Sequence, residues 1–271
     1  MEAAHQLRYR AEKVDVLIDG RELLEKARQR GLNLRMVEKD YVLGWLLYGL
    51  ANDADLVFKG GTALSKIYFP KLWRLSEDLD FSVVKGGLEE RLENIGSVLA
   101  VVKRKSGIEL VLKSSHINPD YLQLKIQYKG VLDRNWIKVD VTMNDLVDRP
   151  AIKTVPLEYS DYVPFKVRVE SLEEIFASKL RAVMERTKCR DFFDLWKLTK
   201  MKFDKQKIKD VFAKKCAIKG IEFHRYRHFF TSSLGETLKP YWERELGRLT
   251  YPTPDIAAVL ADIKKEIVFL E

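Results

Sequence analysis

At 271 residues with 46% hydrophobic content, the chain can bury a sizeable core and form one large domain or two modest lobes, which excludes a disordered tail. It carries 48 basic against 40 acidic side chains, a net charge of +8, and its only cysteines are Cys189 and Cys216, which argues against a disulfide framework and fits a reducing cytoplasm. The opening residues are charged without an apolar centre, so no secretory signal is expected, and LGWLLYGLA falls far short of the about 20 apolar residues that cross a bilayer.

From Val14 to Leu50 apolar residues recur at helical spacing, through Val16, Leu23, Leu24 and Ala27 and then Val42, Leu43, Leu46, Leu47 and Leu50. Gly31 and Asn33 break the pattern, so two or three helices are expected. The period then changes: LVF from Leu56 reads as a short strand, Thr62 to Tyr68 as a helix, Leu79 to Val83 as a second strand, and Glu89 to Lys105 as an amphipathic helix. Ile108 to Leu112 returns to strand. YLQLKIQYK puts Leu122, Leu124, Ile126 and Tyr128 on one face, and NWIKVDVTM puts Ile137, Val139 and Val141 opposite Lys138, Asp140 and Thr142. From Ser171 the helical period dominates. The expected fold is α+β: an N-terminal helical segment (1–50) packing on a mixed-sheet core (51–168), followed by a C-terminal helical lobe (169–271).

Two stretches carry candidate chemistry. In Lys59, Gly60, Gly61, Thr62 and Lys66, glycines stand where a strand turns into a helix and let the backbone approach an anion closely. Thr62 and, one turn on, Lys66 could contact the same phosphate; the plain alternative is a turn and an N-cap. It is not a Walker A loop, because the GK[ST] ending is absent. After Arg74 and Ser76, Asp78 and Asp80 alternate with Leu79 and Phe81, so both carboxylates leave one strand face and can share a hard cation. Asp140 adds a third acid on the polar face of another strand. An exposed strand face neutralised by Arg74 is the competing reading.

GGTALSK followed by RLSEDLDF resembles the signature of the AbiEii/AbiGii toxin family, nucleotidyltransferases on a DNA polymerase β-like fold. VEKDYVLGWLLYGL, Val37 to Leu50, and SLEEIFASKLRAVMERTKCRDFFDLW, Ser171 to Trp196, extend the likeness, which spans Val37 to Leu198. The resemblance implies a type IV toxin of the abortive-infection kind that transfers a nucleotide from an NTP. Gly60, Gly61, Thr62, Lys66 and Ser76 would hold the nucleotide, and Asp78, Asp80 and Asp140 would hold Mg²⁺ or Mn²⁺, with Asp140 completing the metal set or acting as base. It further implies an RNA acceptor such as a tRNA acceptor end and a cognate antitoxin. Transfer to a protein or small molecule, or a non-catalytic nucleotide- or RNA-binding module, are the rival readings.

Lys179 takes a slot in the apolar stripe of Leu172, Ile175, Phe176, Leu180 and Val183, so it must snorkel or meet an anion. The family match assigns it to a phosphate or substrate contact, with Asp191 orienting it or helping to deprotonate a hydroxyl. Asp194 is the weaker candidate, read alternatively as an ion pair with Arg190. Between Lys197 and Lys219 there are nine lysines against Asp204 and Asp210, a cluster that favours a polyanion such as RNA or else forms a solvated face. His224 and His228 have zinc-like helical spacing, but Arg225 and Arg227 crowd them and argue against a metal. Cys189 is expected to be buried and inert, and Trp136, Trp196 and Trp242 to lie in the core.

Overall fold

Asp19 accepts a hydrogen bond from the Arg21 N–H at 2.9 Å and so caps the first helix, α1 (Gly20–Arg30), which Gly31 closes in the left-handed conformation at φ 62. Asn33 caps α2 (Leu34–Leu50) in the same way. The structure, a computed structural model, describes residues 18–71, 73–143, 145–225 and 229–271, so the expected start of the helical pattern at Val14 and Val16 lies outside the described residues. Apolar side chains on every face of α2 send it through the interior. A close approach makes Gly44 necessary there, since a Cβ would sit 1.9 Å from the Tyr162 hydroxyl oxygen.

Next come β1 (Leu56–Lys59), a helical turn α3 (Gly60–Ala63), a wider π turn (Leu64–Tyr68), β2 (Asp78–Val83) and α4 (Leu88–Ser106). They are followed by β3 (Glu109–Asn118), β4 (Tyr121–Lys129), β5 (Arg134–Thr142), β6 (Ala151–Thr154) and β7 (Lys166–Val169). The strands form one mixed sheet in the order β3-β4-β5-β2-β1-β7-β6. β1 runs antiparallel to β2 and parallel to β7, and β2 runs parallel to β5. The alternation in YLQLKIQYK and NWIKVDVTM predicts the inward set: Leu122, Leu124, Ile126, Tyr128, Ile137, Val139 and Val141 are all buried. β6 and β7, four residues each, are too short to show a period and were not foreseen.

The remainder is helical: α5 (Leu172–Glu185), α6 (Cys189–Thr199), α7 (Lys205–Ile218), α8 (Leu234–Leu246) and α9 (Ile256–Glu266). Ser171 and Glu174 begin α5 with a reciprocal capping box. α6 packs against α5, α8 and α9, which holds its first turn beside the start of β2. No helix among the described residues is long and apolar enough to cross a membrane. Cys189 and Cys216 are both unbridged and buried, and burial pushes the Cys189 thiol up to about 11. Trp242 is in the core as expected. Trp136 is not: it is 38% exposed, with the Lys125 ammonium 4.6 Å from its ring centre.

Candidate active site

Strand order sets two of the three acids opposite one another and the third one pleat away. β2 and β5 pair in parallel with Asp80 opposite Asp140, and Asp78 lies one pleat away from Asp80 on the same face. Burial, then the neighbouring Asp140, raise the Asp80 carboxyl to about 6, with Lys59 opposing them and Asp78 adding to the rise. Tyr121 Oη–H and the Gln123 amide both donate to Asp140 Oδ1, at 2.6 and 2.9 Å, from the adjacent β4. They fix the carboxylate and leave Oδ2 for a further ligand. Among the described residues no three His, Cys, Asp or Glu side chains converge as a ready-made metal centre. The crowded pair Asp80 and Asp140, with Asp78 beside it, is nevertheless a set of hard oxygen donors whose mutual repulsion a divalent cation would relieve, so the residues fit such an ion.

The glycine turn abuts these acids. Gly60 has φ +78, and a Cβ there would stand 2.7 Å from Asp80 Oδ2. Gly60→Ala is therefore expected to cost about 1–3 kcal/mol through backbone strain and to displace the Asp80 carboxylate; urea unfolding and a transfer assay check the two effects separately. Gly61 has its own constraint, since a Cβ would meet an Arg74 guanidinium nitrogen at 2.5 Å. Lys59 bonds the Thr142 hydroxyl at the end of β5, and its ammonium lies 2.6 Å from Asp145 Oδ2 just beyond that strand. Burial alone would raise the Asp145 carboxyl, but Lys59 and then Lys215 hold it down at about 2.

Thr62, Lys66 and Ser76, the other expected nucleotide contacts, are all buried. Thr62 is buried and donates its hydroxyl to the Asp78 carbonyl, bracing the acid-bearing strand from behind. Lys66 is 1% exposed and pairs with Asp40 Oδ2 at 2.7 Å and Glu158 Oε2 at 3.3 Å. Both Thr62 and Lys66 turn inward, where Asp40 of α2 and Glu158 supply the counter-charge of the lysine. Ser76 is buried on the approach to β2.

Lys179 and Asp191 do meet, though within a tighter cluster than expected. The Lys179 ammonium lies 2.8 Å from both Asp191 Oδ1 and Asp194 Oδ2. Arg74 makes a two-pronged pair with Asp194, at 2.8 and 2.7 Å, and Trp73 Nε1–H adds 2.9 Å to the same carboxylate. Arg74 is thus not the partner of the β2 acids. Arg186 holds Asp191 from the other side at 2.8 Å. Burial opposes charge on both acids, yet Lys179 and Arg186 keep Asp191, and Arg74 and Lys179 keep Asp194, below the usual carboxylate range. The expected Arg190–Asp194 pair is replaced: Arg190 reaches Glu77 at 3.7 Å and Asp78 at 3.9 Å. Arg186 and Arg190, not foreseen as site residues, are the cations of this cluster that retain solvent access, with side chains 59% and 34% exposed.

The lysine-rich segment is also more internal than its charge suggests. Lys215 on α7 is 1% exposed, 3.0 Å from Glu170 Oε1, and donates to the Leu146 carbonyl. Lys207 pairs with Glu173, Lys209 donates to the Glu271 carbonyl, and Lys200 pairs with Asp262. Part of the positive charge is therefore neutralised within the fold. His224 lies outside any helix, and His228 lies outside the described residues.

The fold is shared with solved structures. MenT4, a nucleotidyltransferase toxin from Mycobacterium tuberculosis, superposes with a TM-score of 0.70 at 21% identity, over 93% of this chain and 89% of that one. A putative nucleotidyltransferase from Helicobacter pylori gives 0.60 at 18%, over 88% and 96%, and JHP933 from the same organism gives 0.58 at 19%, over 88% and 93%. No curated protein matches the chain significantly. The family model for the AbiEii nucleotidyl transferase toxins of type IV toxin–antitoxin systems matches residues 45–262. That span contains the glycine turn, the paired acids of β2 and β5 and the Lys179–Asp191 cluster, and over it the chain belongs to the AbiEii nucleotidyl transferase toxin family.

Proposed function

We propose that this chain transfers a nucleotide from an NTP to an RNA acceptor, with Asp78, Asp80 and Asp140 holding Mg²⁺ or Mn²⁺. The observation that carries the reading is the in-register pair Asp80 and Asp140 beside a glycine turn whose Gly60 only just clears the carboxylate. When bound, the cation supplies charge neutralisation at the phosphates and a more acidic attacking hydroxyl. The backbone of Gly60 and Gly61 lies against the triphosphate, and Arg190, next to Asp78, stabilises charge on it. Asp140, fixed at Oδ1 by Tyr121 and Gln123, offers Oδ2 to the cation.

Lys179 takes a different part from the direct phosphate contact that its sequence slot suggests. Held between Asp191 and Asp194, it is a positioning residue: it fixes Asp191, and Asp191 aims Arg186 at the substrate. Membership of a type IV toxin family supports an antitoxin partner and a cytoplasmic setting, and the similarity to a nucleotidyltransferase toxin supports turnover rather than passive binding. Incubating the protein with each labelled NTP, Mg²⁺ and either total RNA or protein extract tests the acceptor. Label in the RNA fraction, lost in Asp80→Asn, is the expected outcome. Label in protein alone moves the assignment to protein modification, and no label in any fraction overturns it.

A further inference from the structure

A cleft of about 600 Å³ opens beside the Trp73–Asp194 wall of the site, between α1, Lys71, Trp73, α6 and Thr250, Tyr251, Pro252 and Pro254. Ligand pockets commonly fall in this size range. Its charged lining is Lys26, Arg30, Lys71 and Lys197 against Glu158 alone. Glu158 is already paired with Arg30 at 2.8 Å and Lys66 at 3.3 Å, and Lys26 lies 3.5 Å from Glu22, so the positive excess at the cleft is that of Lys71 and Lys197. Aromatic surface accompanies the charge: Trp73 and Trp196 line the wall, and the Tyr251 ring is 73% exposed at the rim. The Lys197 ammonium stands 5.8 Å from the centre of the Trp73 ring.

The cleft is connected to the acids. The Leu75 N–H donates to the Leu249 carbonyl at 2.8 Å, and Arg248 lies 2.9 Å from Glu77, the residue before Asp78. Lys39 and Arg190 converge on the same Glu77, each at 3.7 Å. Three cations thus gather on Glu77, between the segment that lines the cleft and the strand bearing Asp78.

Resting on the RNA-acceptor reading above, we propose that this cleft docks unpaired nucleotides of the acceptor, with a base on the exposed Tyr251 ring and phosphates on Lys71 and Lys197. Cations beside the one largely exposed ring, Tyr251, suit a single strand, because aromatic stacking needs bases that are not already paired, while Trp73, buried and stacked on Phe69, forms the wall behind. A duplex hides those faces, and an acidic peptide would use the charge but not the rings. The α7 lysines, partly neutralised inside the fold, are less suited to the task.

The test measures anisotropy of a short fluorescein-labelled single-stranded RNA, and of the same sequence as a duplex, with the full chain across a salt series and without NTP. The single strand is expected to bind more tightly. Tyr251→Ala should weaken it about tenfold, the loss of one stacked base. Lys71→Gln with Lys197→Gln should reduce the slope of log affinity against log salt by about 1.4, or about 0.7 per phosphate. Melting curves guard against unfolding, and Tyr251, largely exposed, contributes little to packing. Unchanged affinity and slope in these variants, or equal binding of the duplex, overturns the proposal. If the wild type labels RNA while the variants keep its RNA KM, the cleft assignment fails and the transfer reading stands. If the variants lose RNA binding as expected while no NTP labels RNA, the cleft stands and the transfer reading fails.

Discussion

Asp80→Asn is expected to raise the melting temperature by a few degrees near pH 7.5 while reducing transfer at least about 100-fold. In the folded protein Asp80 is desolvated and faces Asp140, so its carboxyl is raised from 3.8 to about 6. The folded state then holds that proton more tightly than the unfolded state. Stability accordingly falls as pH rises from about 4 to about 6, and the penalty persists above that range. One pKa unit corresponds to about 1.4 kcal/mol, which bounds the gain on removing the charge at about 1–3 kcal/mol for a partly solvent-accessible group. The gain should vanish below about pH 4, where Asp80 is protonated in both states. A divalent cation relieves the same repulsion, so Mg²⁺ or Mn²⁺ should stabilise the wild type and leave Asp80→Asn nearly unmoved. Its effect on the wild type should weaken below about pH 6, as protons compete for the carboxylate. Scanning fluorimetry over pH, with and without metal, reads all of this. Identical melting curves for the two proteins throughout would remove the carboxylate from the proposed cation site.

How much of this was legible in the sequence depended on whether the controlling interaction was local. Alternation in β4 and β5 and the i, i+2 spacing of Asp78 and Asp80 were visible because side-chain direction in a strand follows position alone. The meeting of Asp80 with Asp140 was suggested by their shared polar faces, but it depends on β2 lying parallel to β5, and strand order is not a local property. Lys66 and Lys215 show the reverse failure. Their neutralising acids, Asp40 with Glu158 and Glu170, belong to other elements, so local spacing reads Lys66 as a phosphate contact and a charge tally counts Lys215 with the solvent-facing lysines. Arg186 and Arg190 were passed over for a related reason. Arg190 opens the RDFFDL run and Arg186 stands four residues before it, and only the packing of α6 beside β2 turns Arg190 toward Asp78 and leaves Arg186 solvent-accessible on Asp191. The fold class followed from period; the site's electrostatics followed from contacts between distant segments.

Lys179→Met is expected to lower stability by about 3–5 kcal/mol, the usual cost of removing one partner from a buried ion pair. From the sequence, a stem-preserving Met at a snorkelling lysine should be nearly neutral. The structure reverses that expectation, because the ammonium is buried between Asp191 and Asp194, 2.8 Å from each. Desolvation disfavours its charge, yet the two acids outweigh it and raise its pKa above 10.5. That contribution is full below the unfolded value near 10.5 and is lost only as pH rises through the higher folded value, so it is intact at neutrality. The acids behave oppositely. Their depressed pKa values add stability above 3.8 that disappears as pH falls through the folded values. Without Lys179 those values move back up, and acid unfolding should begin at a higher pH than in the wild type. Lys179→Met combined with Asp191→Asn leaves Arg74 and Asp194 paired and removes one stranded charge, so it should recover part of the stability but none of the transfer activity. Urea unfolding at pH 7.5 and an acid titration of the wild type, both single variants and the double variant measure the coupling directly. Full stability in Lys179→Met together with lost transfer would show that Lys179 acts on the substrate itself, as its slot in the α5 stripe first suggests, and would end its assignment as a brace for Asp191 and Arg186.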